Sequence, residues 1–331
     1  YYLKWEKVVE YASEVLGSAP STVMRDWAAV KQLAWDGSVR TLDYISVGHS
    51  FNLLMIPMVT GNGSLFNAWS NSGARFTHNY RVAKRETYRA KRPMGGPWDR
   101  WKDNCIEKVY QHPPFIWQDN DVNKIYMPKW PNQWEVTDPV TGVGIGRSTM
   151  VAFTTNETVL SRAEAYVHLK EYDKAVADLN AWIGSFYLVG QNGIESLTRE
   201  RIAEVYGDPS SNRYIAEYTA LEPTSRKPLH PHGFTVEAGE QEHLIQTTLF
   251  CRRIETIADG LRWGDIKRYG IVIDRFDDSA YNDDNTTGFT VAATLGEKDL
   301  RRALQLPQEV ITAGLEANPR NENRPDHPFC Q

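Results

Sequence analysis

Between Leu244 and Gly270 the chain has few ways to fold. Leu244, Thr248, Cys251, Ile254, Ile257 and Ala258 recur at helical spacing. Gly260 follows the last of them, where a residue without a β-carbon most easily adopts a left-handed helix stop. A second short helix then sets Trp263, Ile266 and Tyr269 on one face and ends at Gly270. Arg252, Arg253, Glu255, Arg262, Asp265 and Arg268 crowd the corner between these helices. Arginine forks opposite carboxylates pin helices together through bidentate pairs. These residues are therefore expected to brace the fold rather than touch a ligand.

Helical periodicity appears elsewhere. Leu160, Ala163, Tyr166, Tyr172, Ala175, Leu179 and Trp182 form the best repeat in the chain, with helix returning at Glu157. The offsets are those of tetratricopeptide hairpins, where small residues let two helices approach and a tyrosine wedges between them. Residues 1–35 read as a helix pair. Trp5, Val8, Ala12 and Val15 share one face, Gly17 ends the first helix, and Ser21 caps a second that carries Val23, Met24, Trp27, Val30 and Ala34. Val8, Ala12, Val15 and Pro20 fit the second helix of such a repeat, whose first helix would precede Tyr1. No signal peptide or lipobox cysteine is present, and the chain reads as the C-terminal portion of a longer protein. Further helices are expected near Ser196–Tyr206 and Gly239–Ala258, and an acidic, Asn-rich loop over 274–290. Residues 40–60 are ambiguous, with an apolar run ending at Pro57.

Residues 61–150 differ in character. They are rich in Gly, Pro, Asn and Trp, and read as loops with short strands or helical turns, such as Trp101–Tyr110. Trp69, Trp98, Trp101, Trp117, Trp130 and Trp134 are six of the eleven tryptophans. Sugar recognition needs an apolar ring under a pyranose face and planar polar groups at its hydroxyls. Asn71 and Arg75 supply such groups, as do Asp99, Arg100, Asp103, Asn104, Asn132 and Gln133. Trp98 and Trp101, following Gly95-Gly96-Pro97, are the first choices for ligand contact. The competing reading is that each tryptophan pins a long loop to the helical scaffold.

Other chemistry is weakly signalled. Net charge is −5 with pI near 6.0, which does not indicate a nucleic-acid partner. Cys105, Cys251 and Cys330 show neither metal spacing nor a disulfide framework. Phe51–Val59, the longest notable apolar run, falls short of the ~20 residues of a membrane span. His230, His232 and His243 lack a convincing third ligand partner, and Asp277, Asp278, Asp283 and Asp284 lack the turn glycine and closing glutamate of a calcium loop. Gly142, Gly144 and Gly146 alternate without a following phosphate-binding helix, and read as a flexible turn or strand. No serine elbow, zinc-protease motif or P-loop occurs. A glycosidase carboxylate pair needs only spatial proximity, and nothing in the sequence singles one out. No metal, cofactor or catalysis is implied.

Three stretches, 160–182, 251–270 and 303–319, together resemble the SusD/RagB family of nutrient-binding lipoproteins. Ser161-Arg-Ala-Glu-Ala-Tyr resembles the segment before that family's last repeat. Arg252, Arg253, Glu255, Gly260, Arg262, Trp263 and Asp265 fall in its C-terminal signature. The third stretch enters Pro307 and closes on Asn318-Pro319. Cys251 stands where the family usually has glutamate, and Gly264 where it usually has a bulky aromatic. The resemblance implies one SusD-like domain over 1–331: a mostly α fold with tetratricopeptide-like hairpins over 1–60, a loop-rich ligand region over 61–150, and a C-terminal repeat and signature over 151–331. It implies a protein that captures oligosaccharide or polysaccharide at the cell surface and delivers it to a SusC-like TonB-dependent transporter. Such a protein is held on the outer membrane only by an N-terminal lipid anchor absent from this chain. The alternatives are a RagB-like peptide-binding import protein and a tetratricopeptide scaffold for other proteins.

Overall fold

A computed structural model describes residues 3–33, 39–59, 78–97, 117–119, 124–126, 129, 133–277 and 290–320. Among the described residues helix, at about 41%, outweighs strand, at about 16%, so the architecture is mixed α and β with helix predominant. The chain divides into two compact units, Tyr1–Arg226 with Val236–Arg262, and Lys227–Thr235 with Trp263–Gln331.

In the first unit, α1 (Trp5–Leu16) stops at Gly17, whose φ is 61°. Its buried side is Ala12 and Leu16, whereas Val15, expected inward, is 42% exposed. Leu16 lies one turn beneath Ala12, and Val15 is rotated off that face. The next helix, α2 (Trp27–Lys31), starts later than expected. Asp26 rather than Ser21 caps it, accepting from the Ala28 and Ala29 N–H groups, and Pro20–Thr22 makes a separate 3-10 turn. Then come α3 (Val39–Tyr44) and β1 (Asn52–Val59). The strand runs through Pro57 instead of ending there, since an edge position tolerates a residue without an N–H.

The stretch read as mostly loop carries several strands. It holds β2 (His78–Asn79), α4 (Tyr80–Arg85), β3 (Trp117–Asp119), β4 (Lys124–Tyr126), β5 (Gln133–Val136) and β6 (Gly144–Thr154). Two antiparallel sheets result, ordered β1-β6-β5 and β2-β4-β3. The glycine alternation at 142–146 therefore enters a strand, and that strand crosses residue 150 into the helical part.

Four helices complete this unit. Thr154 caps α5 (Thr155–His168), and Lys170, at φ 63°, turns the chain into α6 (Tyr172–Phe186), which packs on α5. Thr198 caps α7 (Arg199–Gly207). The last, α8 (Glu240–Glu255), packs on α5, α6 and α7. Leu244, Thr248, Cys251 and Ile254 are buried as the spacing predicts, but so are Ile245, Thr247, Leu249 and Phe250 on the other faces. Thr247 and Thr248 donate to the His243 and Leu244 carbonyls at 2.9 Å, so their hydroxyls enter the core satisfied. The helix ends sooner than its pattern suggests: Ala258, at φ 67°, is already left-handed before Gly260, at φ 77°.

The second unit includes most of α9 (Arg262–Arg268), then the antiparallel pair β7 (Ile273–Asp277) and β8 (Thr290–Leu295), and α10 (Gln308–Thr312). The expected loop over 274–290 thus begins as a strand. Arg302 braces this unit from inside: its guanidinium donates to the Gly296, Ile266 and Ile271 carbonyls at 2.7, 2.9 and 2.5 Å. Buried Asp265 accepts from Arg268 at 3.0 Å. Asn318 closes the final turn by donating to the Leu304 carbonyl at 2.6 Å.

Candidate functional site

Of the residues expected to contact ligand, Trp69, Asn71, Arg75, Trp98, Trp101 and Trp130 lie outside the described residues. The turn leading to Trp98 is described. Gly95 and Gly96 have φ of 81° and 90°, and a β-carbon on Gly96 would overlap the Ile194 side chain. Trp117 lies on β3, paired with Tyr126.

Trp134 is the expected tryptophan whose surroundings are visible. It projects from β5, which flanks β6 in the sheet, and is 64% exposed. Its cross-strand partner is Gly146, and the next pair on the same face is Val136 with Gly144. A β-carbon at Gly144 would come 2.7 Å from the Trp134 Nε1 and overlap the Glu135 carbonyl oxygen. The lack of side chains at Gly144 and Gly146 lets the indole lie close to that strand, with most of its surface in water. Such a ring is a stacking platform for an apolar ligand face. Alternation puts Gln133 and Glu135 on the opposite face, where Glu135 pairs with Arg147. Ile56 and Met58 lie across from Met150 and Ser148, on the same face as Trp134. Ile56 is 43% exposed.

The signature residues form a buried bracing network. Arg252 on α8 donates to Glu164 on α5 at 2.7 Å. Arg162, two residues before Glu164, makes a two-bond fork to Asp178 on α6, at 2.8 and 2.7 Å. Arg253 bonds Glu86 at 3.1 Å, and the Trp182 indole donates to Glu255 at 2.8 Å. Arg262 donates weakly to the Leu249 carbonyl, at 3.5 Å. Burial pushes the Glu255 carboxyl upward against the opposing pull of Lys129. Arg252, Arg253 and Glu255 thus tie α8 to α5, to Glu86 and to α6.

Two members of this interior escaped the sequence reading. Lys129 is buried and donates to the Glu255 and Ile257 carbonyls at 3.0 and 3.3 Å and to Asp259 at 2.5 Å. It serves as a cation at the C-terminal end of α8. Burial pulls its ammonium down, but Asp259, Tyr44 and Glu255 outweigh that and hold it above the usual lysine range. Arg25 lies 4.1 Å from the Phe51 ring centre and 4.7 Å from that of Tyr44, and donates to the Tyr44 carbonyl and to Asn52. Neither residue sits in a periodic pattern. Each is defined by partners distant in the chain.

A groove of about 500 Å³ lies where α6, α7 and α8 begin, lined by Asp173, Arg199, Ile202, Ala203, Glu240 and His243 among others. Its charges are largely spent on one another: Arg199 bonds Glu240 at 2.5 and 3.0 Å and Asp173 at 3.2 Å. Burial lowers the His243 imidazole below its ordinary value. His230 lies 3.5 Å from Glu297. Among the described residues, no group of three His, Cys, Asp or Glu side chains is placed to hold a metal ion, and no helix is long and apolar enough to cross a membrane. Cys251 is a free buried thiol, raised by burial. Cys105 and Cys330 lie outside the described residues.

Compared with protein-family models, curated proteins and solved structures, the chain matches none.

Proposed function

We propose that this chain is the ligand-capturing part of a SusD/RagB-like surface protein, one that binds glycan and passes it to a SusC-like TonB-dependent transporter of the outer membrane. The observation that carries the glycan reading is Trp134, a largely exposed indole held against a glycine-lined strand. An exposed ring in that setting has little packing role and offers a face to a pyranose. The family reading draws support from the Arg252–Glu164 bond, which ties two of the stretches that carry the resemblance. In this reading α5 and α6 are a tetratricopeptide-like hairpin. The protein binds and releases; no bond is made or broken.

A RagB-like peptide binder is the second reading, favoured by the position of β5 beside β6 with apolar neighbours on its face. An extended peptide could add to such an edge. Calorimetric titration against panels of oligosaccharides and of peptides separates the two. Saturable oligosaccharide binding is the expected result. Saturation by peptides alone would move the protein to the peptide-binding class, and heat from neither panel would remove the capture reading.

A further inference from the structure

We infer that the ligand seated at Trp134 is an uncharged glycan rather than a uronate-containing or sulfated one; the inference rests on the glycan reading above. The register of the three-stranded sheet carries it. Trp134 and Val136 on β5, Gly144, Gly146, Ser148 and Met150 on β6, and Ile56 and Met58 on β1 share one face. None of these side chains is charged. The exposed part of this strip is Trp134 and Val136 on β5 and Ile56 on β1, whereas Ser148 on the strand between them is buried.

The charged residues of β5, β6 and the turn between them are directed elsewhere. Glu135 and Arg147 alternate onto the opposite face and pair there with each other. Asp138, in the turn between β5 and β6, accepts from the Val140 and Thr141 N–H groups and from the Thr141 hydroxyl. That leaves no free cation on the described part of this face to meet a carboxylate or sulfate. An anionic glycan would lose hydration against these apolar side chains with no ion pair from the described part of the face in return. It would also approach a chain of net charge −5. A neutral sugar loses less, because its C–H face replaces water on the indole while its hydroxyl edges remain solvated.

The test is calorimetric titration with neutral gluco-, manno- and xylo-oligosaccharides and with oligogalacturonate, at low and high salt (about 0.02 M and about 0.5 M). Wild type is compared with Trp134→Ala and with Trp134→Phe, which keeps a ring. The expected result is a neutral ligand whose affinity changes less than about twofold with salt. Trp134→Ala should weaken it at least about tenfold, and Trp134→Phe much less. Oligogalacturonate binding that is tighter, falls with salt and is lost in Trp134→Ala would overturn the inference while leaving glycan capture standing. Absence of binding to every oligosaccharide would overturn the capture reading and this inference with it.

Discussion

Arg252 on α8 and Glu164 on α5 meet at 2.7 Å, each side chain only 4% exposed. The pair joins helices whose residues lie 88 positions apart. Removing one member of a buried pair deprives the other charge of its nearest partner, at a cost of up to about 3–5 kcal/mol. Glu164→Ala or Arg252→Ala should therefore lower unfolding free energy by that order in urea denaturation. The double variant Arg252→Met with Glu164→Leu should cost less than either single change, because no charge is left buried. A double variant as unstable as the sum of the singles would show that the pair is not the coupled unit described.

Gly144→Ala should disturb the sheet where it supports Trp134. The new methyl meets the Glu135 carbonyl oxygen and the indole nitrogen. Overpacking of this kind costs about 1–3 kcal/mol. The expected signs are a lower melting temperature and a changed tryptophan emission.

Gly184→Ala should act in the opposite direction. Gly184 lies within α6, is exposed, and has nothing within 4 Å of an added β-carbon. Replacing an exposed helical glycine by alanine stabilises by about 0.5–1 kcal/mol. Thermal unfolding at neutral pH measures it.

The sequence made the periodic elements readable and left the sheets obscure, for physical reasons. Leu160 to Trp182 show helices because each apolar position repeats a turn later; that Arg252, Arg253 and Glu255 brace the fold is readable, but their partners Glu164, Glu86 and Trp182 lie far away in the chain. The strand β1 was hidden because its residues are apolar on both faces and include Pro57, so no alternation marks it. The burial of α8 beyond its expected face was hidden in part by Thr247, whose hydroxyl is satisfied within the helix. Lys129 carries no local signature; its burial depends on Asp259, 130 residues away. Trp134 is one of six tryptophans named from sequence, and the glycines opposite it on β6 become its neighbours only through the strand pairing. The preferred pair, Trp98 and Trp101, lies outside the described residues.

The second unit should lose stability in acid through Asp299. Hydrogen bonds from Arg301 hold its carboxyl down to about 2, from an ordinary 3.8. The folded value lies below the unfolded one, so the stabilisation is present above the unfolded value and is lost as pH falls through the folded one. Denaturation curves from pH 6 to pH 2 should steepen below about 4 for wild type, and less so for Asp299→Asn.

The central claim, that an exposed indole on the β5–β6 sheet holds glycan, is tested most directly by one comparison. Wild type and Trp134→Ala are titrated calorimetrically with whichever oligosaccharide the wild type binds best, with melting temperatures recorded for both. The account predicts an affinity loss of at least about tenfold, or about 1.4 kcal/mol, with melting unchanged. Unchanged affinity in a folded Trp134→Ala protein would contradict it.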